Sequence, residues 1–345
     1  MRGPGPVFRF GEPLPAQTGK QSQAFIKIRF SYMPRIRQMH FPDKVVLEHT
    51  GALGDFLLAW PVFLSLTRYF ADRPVHCAVP ASHAPWLAPW ATSCPPGLRR
   101  ALGDRFREDG WPSALADTLV VRPGLGRRPD FPQCDSFWFL RGMIPGREAS
   151  PTALYREALA ARGIPFAADF AAVFRAHFGR HDPTGDTALL FPGAGNQDKA
   201  WPPYRLEHLA GMLRKRGLRP VFVLGPVERE RGVRPAGGEI LEPRDLGELS
   251  AALCAARCVV GPDCGPLHLA ALHGVPGAAL FGPTSPAQWG PPGMAVVTAG
   301  LACAPCTATT AEPFAPACPR PLPCMAGIAA DAVCKALAAQ GVFGA

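Results

Sequence analysis

GPDCGPLHLAALHGVPGAALFGPT, residues 261–284, follows an apolar triplet (Cys258, Val259, Val260) and ends in a second apolar run, 278–281, closed by Gly282 and Pro283. That order reads as strand, tight turn, helix and strand, the unit from which parallel sheets are built. The helix opens at Gly265. Backbone N–H groups in a first helical turn have no intrahelical partner and carry the positive end of the helix dipole, so they suit phosphate oxygens. Glycine at 265 lets a ligand approach the backbone closely. Taken alone, the stretch also admits a plain reading in which Asp263 caps the helix and His268 is a hydrogen-bonded core histidine.

Outward from this unit the same rhythm continues. In the second half, strands are predicted over 187–191, 220–224 and 239–241, with helices over 205–216 and 246–256 and a shortened helix between 225 and 239. In the first half, a strand over 45–47 leads through a turn at Gly51 and Gly54 into a helix over 55–70, where Leu58, Val62, Leu66 and Tyr69 recur at helical spacing and Pro61 is expected to kink the axis. Strands follow over 75–79, 118–121 and 137–140, separated by a helix and Arg-rich loop over 81–116. A helix over 151–162 has Pro151 in its first turn. Strands alternating with helices predict doubly wound parallel sheets with right-handed crossovers. At 345 residues and 48% apolar content the chain has material for two cores. Residues 165–186 are the expected hinge.

Motifs that are absent narrow the chemistry. The first turn lacks G-x-G-x-x-G, which argues against a dinucleotide oxidoreductase, and no G-x-x-x-x-G-K-[ST] suggests a P-loop NTPase. No fixed-period repeat is present, no run of 18 apolar residues would span a membrane, and the start lacks an apolar signal-peptide core, so a cytoplasmic location is expected.

Four segments, in order, resemble glycosyltransferase family 9, the bacterial lipopolysaccharide heptosyltransferases. These are HTGALGDFLLAWP (49–61), FPGAGNQDKAWP (191–202), VFVLGPVERE (221–230) and the 261–284 stretch, where Cys264 stands in place of the usual Ser or Thr. The Cys-rich close of the chain agrees. The resemblance implies a GT-B fold, two Rossmann-like doubly wound domains facing across a cleft. The boundaries are then a disordered basic extension over 1–40, an acceptor-side domain over 41–170 and a nucleotide-sugar-binding domain with a Cys-rich tail over 171–345. It implies an inverting transferase moving a sugar, heptose from ADP-heptose, onto a lipid-linked saccharide acceptor of the lipopolysaccharide core. No cofactor and no nucleic-acid partner are implied. By the same resemblance Asp55 is the catalytic base, on the loop and helix start that Gly51 and Gly54 shape for the acceptor. Lys199, Asp263, Cys264, Gly265 and His268 hold the donor diphosphate, and Glu228 holds the nucleoside.

Each role stands beside a plainer one. Asp55 also suits a helix cap, and its place at a helix start is expected to stabilise the ionised form. Lys199 also suits a solvated surface, and Glu228 a surface pair with Arg229 or Arg231. No Asp-x-Asp pair is present, so the expectation is a metal-independent enzyme in which Lys199 and the helix start replace a cation. The alternatives are a non-catalytic nucleotide-binding scaffold and a relative using another nucleotide sugar.

Charge and cysteines supply further expectations. Of the net +9, residues 1–38 carry seven basic side chains against one acid. Such a segment suits peripheral contact with an anionic membrane, the inner face of a bacterial inner membrane, although its charges are diffuse. The plainer expectation is an accidental extension, with Met33 or Met39 as the start. Arg99, Arg100, Arg105, Arg107, Arg122, Arg127, Arg128 and Arg141 in the first lobe suit a phosphate- or carboxylate-bearing acceptor. Among 11 cysteines, Cys303, Cys306, Cys318 and Cys324 admit a four-thiolate metal site, but a single C-x-x-C makes ordinary thiols the favoured reading. Cys264, at the helix start, is expected to be reactive through a lowered pKa.

Overall fold

The computed structural model describes residues 42–106, 111–126, 134–193, 195–306 and 318–343. The basic extension expected over 1–40 lies outside them, as do Arg107, Arg127 and Arg128. The first half contains β1 (Lys44–Glu48), α1 (Leu53–Tyr69), β2 (Val75–Ala78), β3 (Thr92–Ser93), α2 (Pro96–Asp104), β4 (Thr118–Gly124), β5 (Phe137–Arg141) and α3 (Pro151–Ala160). After α4 (Phe170–Phe178) come β6 (Thr187–Leu190), α5 (Pro203–Arg214), β7 (Arg219–Val223), α6 (Pro226–Glu230), β8 (Glu239–Leu241) and α7 (Leu246–Ala255). The remainder is β9 (Cys258–Pro262), α8 (Gly265–His273), β10 (Gly277–Leu280), α9 (Pro286–Trp289), β11 (Ala295–Val297), α10 (Pro323–Ala326) and α11 (Ala330–Ala339).

Two sheets result, with strand orders β3-β2-β1-β4-β5 and β11-β10-β9-β6-β7-β8. Every pairing in both is parallel. Parallel strands covered by helices on both faces read as unbroken apolar runs, and Val45, Val46 and Leu47 on β1, like Val259 and Val260 on β9, are fully buried. In each sheet the chain leaves a central strand, β1 or β6, runs to one edge, then returns to the other side through β4 or β9. The C-terminal ends of β1 and β4, and of β6 and β9, are therefore the two crevices where connections diverge and a ligand has room.

Helix α1 is apolar around most of its circumference, which marks a helix buried on more than one side. It packs against α3 and α8, and eleven of its 17 residues are buried. The helix runs on through Pro61. Ser65 Oγ donates to the Pro61 carbonyl at 2.7 Å and accepts from the Ala167 N–H at 2.9 Å, pinning the segment before α4 to the middle of α1.

That segment departs from the expected plain hinge, because residues 170–178 form α4. Phe174 is fully buried and stacks edge-on at 5.1 Å from Trp60 of α1 and at 5.3 Å from His273 of α8. One apolar core consequently runs from the first sheet through α1, α4 and α8 to the second. A second core fills the outer face of the second sheet under α5 and α11. Strands β3 and β11 and helices α9, α10 and α11 also went unpredicted, each being too short or too rich in Ala and Pro to show a clear period.

Candidate active site

The loops at the two crevices meet in one cleft of about 330 Å³, lined by Asp55, Lys199, Asp263, Cys264, Gly265 and His268, with Thr284 and Trp289 at its side. The cleft brings together the expected base and all five residues expected at the diphosphate. Its floor is the meeting of two helix starts. A Cβ placed on Gly265 would lie 2.9 Å from the Gly54 nitrogen and 3.0 Å from Leu53 Cβ, so glycine at 265 is what allows α1 and α8 to touch. Both helices exceed two turns; α1 brings the N–H groups of its first turn here, whereas in α8 Pro266 has no N–H and the Leu267 N–H donates to the Cys264 carbonyl at 3.2 Å, which leaves the Gly265 N–H.

The turn before α1 is built by His49. Its Nδ1 accepts from the Gly51 N–H at 3.2 Å, and burial, with smaller contributions from His83 and Arg122, lowers its pKa to about 4, so the ring is neutral and free to accept. A Cβ on Gly51 would meet His49 Cε1 at 2.8 Å and Asp55 Oδ2 at 3.0 Å. Asp55 sits at the third position of α1, and its carboxylate accepts from the Ala52 backbone N–H. Position alone suggested a stabilised carboxylate, but the structure reverses the sign. Burial raises the Asp55 pKa, Lys199 and the Ala52 N–H pull it down by less, and Asp263 adds to the rise.

Lys199 closes a short 3₁₀ turn, residues 197–199, after β6. Its Nζ donates to Asp263 Oδ2 at 3.1 Å, with the carboxylate largely buried and the ammonium partly exposed. Asp263 thus holds the lysine and leaves the remaining ammonium protons to face the cleft. His268, one turn into α8, has its pKa lowered chiefly by burial, so it offers a neutral imidazole rather than a cation. Cys264 is the N-cap of α8, yet burial pushes its thiol up to about 12, outweighing the Leu267 N–H and Lys199. The expected reactive thiolate is overturned: desolvation exceeds the pull of the helix start.

A second cavity of about 330 Å³ adjoins the first across the Lys199 turn and is mostly apolar, lined by Pro192, Gly193, Trp201, Val233, Arg234 and Glu228 among others. Glu228 does not pair with Arg229, whose nearest acid is Glu242 at 3.9 Å. It accepts instead from the Gly225 N–H at 3.0 Å across the start of α6. A Cβ on Gly193 would fall 1.8 Å from Glu228 Oε1, so the Pro-Gly after β6 makes the space that Glu228 occupies.

The first-lobe arginines separate into different tasks. Arg105 is fully buried and donates to both oxygens of Glu48 at 2.8 and 2.7 Å, so it is a structural partner of β1 and not an acceptor contact. Arg122, at the end of β4, donates to Thr50 Oγ1 at 2.9 Å and lies 3.8 Å from Glu48. It therefore shapes the loop before Asp55. Arg99, Arg100 and Arg141 are exposed. Sequence reasoning missed Glu48 and His49, although both stand at the C-terminal end of a predicted strand, the place that should have drawn attention. Among the described residues no group of three or more His, Cys, Asp or Glu side chains is placed to hold a metal ion, and residues 307–317 within the cysteine segment lie outside them.

Two lobes of parallel sheet facing across a cleft, with charged loops at both switch points, define a GT-B fold. Residues 167–313 match the model of glycosyltransferase family 9 (heptosyltransferase). The chain is 35% identical over 136 residues to lipopolysaccharide heptosyltransferase 1 of Pseudomonas aeruginosa, a stretch covering 37% of this chain and 38% of that protein. In fold it is similar to the glycosyltransferase family 9 protein of Veillonella parvula (TM-score 0.57, 17% identity, 88% of this chain and 98% of that one). It is similar also to E. coli heptosyltransferase WaaC with ADP-2-deoxy-2-fluoro heptose (0.56, 19%, 86% and 99%). A third likeness is to the iron-containing dodecameric glycosyltransferase TibC from enterotoxigenic E. coli (0.57, 16%, 86% and 78%).

Proposed function

We propose that this protein is an inverting, metal-independent heptosyltransferase that moves heptose from ADP-heptose onto a saccharide acceptor of the lipopolysaccharide-core type. The observation that carries the reading is the single cleft in which a carboxylate with a raised pKa, from the first lobe, faces a lysine and a helix start from the second. The division of labour is then an acceptor side up to about residue 170 and a donor side beyond it. The acceptor hydroxyl attacks the anomeric carbon and gives its proton to Asp55, while the bond to the diphosphate breaks. Charge developing on the leaving oxygens is met by Lys199 and the Gly265 N–H at the start of α8. The neutral His268 adds a donor. The apolar cavity beside Glu228 takes the nucleoside, the carboxylate accepting from ribose hydroxyls. The P. aeruginosa relative and the solved ADP and ADP-sugar complexes of WaaC support the choice of donor and acceptor. No described helix is long and apolar enough to cross a membrane.

The test is transfer of heptose from ADP-heptose to a heptose-deficient core acceptor, followed by release of ADP. Wild-type turnover that is lost in Asp55→Asn, with ADP binding kept, supports the assignment. ADP binding with no transfer to any core acceptor points to the scaffold reading instead, and a response only to another nucleotide moves the donor.

A further inference from the structure

The turn that carries Lys199 is not held by its own lobe's sheet alone. Asp198, next to the lysine, is buried at 8% exposure, and its carboxylate is gripped by Arg320, whose Nε donates to Oδ1 at 2.7 Å and Nη2 to Oδ2 at 3.1 Å. Arg320 lies 122 positions further along the chain, in the Cys-rich close. The same close binds the turn again two residues beyond Lys199, where Trp201 Nε1 donates to the Ile328 carbonyl at 3.2 Å. It also reaches the opposite wall of the cleft. The Cys306 N–H donates to the Pro283 carbonyl at 3.0 Å, next to Thr284, and a Cβ on Gly282 would fall 2.5 Å from Met325 Sδ.

The Arg320 side chain is 62% exposed, so without it water can reach the Asp198 carboxylate, and what the pair supplies is chiefly the direction in which the turn is held. The bidentate fork fixes direction as well as distance. Asp198 is further set by its own N–H donating to Asn196 Oδ1 at 2.9 Å. With Asp198 fixed on one side and Asp263 holding the ammonium on the other, the lysine stem between them has little freedom.

We propose that Arg320 is a positioning residue for the donor diphosphate, acting through Asp198 to hold Lys199 in its phosphate-facing place. This rests on the donor-site reading above. The Cys-rich close accordingly braces the donor site from behind, and the arginine is the point at which it sets phosphate affinity.

The experiment titrates wild type, Arg320→Gln, Arg320→Lys, Lys199→Ala and the Arg320→Gln/Lys199→Ala pair with ADP and with adenosine, UDP and GDP being run with their nucleosides if ADP does not bind wild type. Arg320→Gln is expected to weaken ADP about tenfold, the loss of roughly one charge-assisted hydrogen bond, while adenosine binding and the melting temperature stay near wild type. Arg320→Lys recovers part of the loss, and the double variant binds ADP no worse than Lys199→Ala. Unchanged ADP affinity in Arg320→Gln beside a weakened Lys199→Ala overturns the inference and leaves the donor site standing. Equal losses of ADP and adenosine in Arg320→Gln overturn it too, since the whole lobe would then be disturbed. Unchanged ADP affinity in Lys199→Ala removes the donor reading itself.

Discussion

Asp55, the proposed base, also carries a stability cost. Its folded pKa is raised, so the ionised carboxylate is disfavoured in the native state relative to the unfolded chain. The contribution is therefore unfavourable above the folded pKa and vanishes below the ordinary carboxylate range. Asp55→Asn is expected to melt at a higher temperature than wild type at neutral pH, the gain disappearing as the pH is lowered through that range, while turnover falls by about 10²–10⁴-fold. Thermal melts across pH, set beside initial rates, check both halves. Because a base works only when deprotonated, the acidic limb of the kcat/KM profile should lie at higher pH than an unperturbed aspartate would give. Lys199 lowers the Asp55 pKa, so in Lys199→Ala that limb should move to higher pH. A limb that stays in place would separate the two residues electrostatically. The residue types at this site were legible in the sequence, since Asp55, Lys199 and Asp263 converge as expected. The signs at Asp55 and Cys264 were not, because desolvation depends on what the other lobe brings against a residue.

At the level of elements, two glycines make opposite predictions. An added methyl at Gly265 meets backbone, the Gly54 nitrogen, which cannot swing aside. Gly265→Ala should push α1 and α8 apart, cost about 1–3 kcal/mol in urea unfolding and depress turnover. At Gly193 the methyl meets the Glu228 side chain, from Oε1 at 1.8 Å to Cγ at 2.6 Å, which must swing out of the cavity. Gly193→Ala should therefore fold normally and lose nucleotide affinity by about tenfold, read by calorimetry. Strand β1 offers a third case. Arg105→Met leaves the Glu48 carboxylate with Arg122 at 3.8 Å as its remaining cation and is expected to cost about 2–4 kcal/mol, most of it regained in Glu48→Leu/Arg105→Met. Strands and helices with a strong period, such as β1, β9 and α8, were readable within a residue or two. Helix α4 was not, because its FAAVFRAHF is apolar toward two different neighbours and looks like linker without them.

For the molecule as a whole, the doubly wound order followed from alternation in the sequence, but the joining of the lobes did not. Phe174 lies among Trp60, Trp86 and His273, which belong to different lobes. Scanning calorimetry of wild type should give one cooperative transition. Phe174→Ala, at a cost of about 3–5 kcal/mol, should separate it into two, and a single unsplit peak would show the lobes to be coupled elsewhere. The shared interior also bears on what a cut chain would do. Residues 182–186, just past α4, are exposed, while α4 itself remains tied to α8 through Arg175 and the Leu272 carbonyl. A protease nicking that stretch would produce two fragments that do not part. Mixed from separate expression, the same two pieces should find each other and rebuild the cleft, making the protein a natural candidate for split-enzyme complementation.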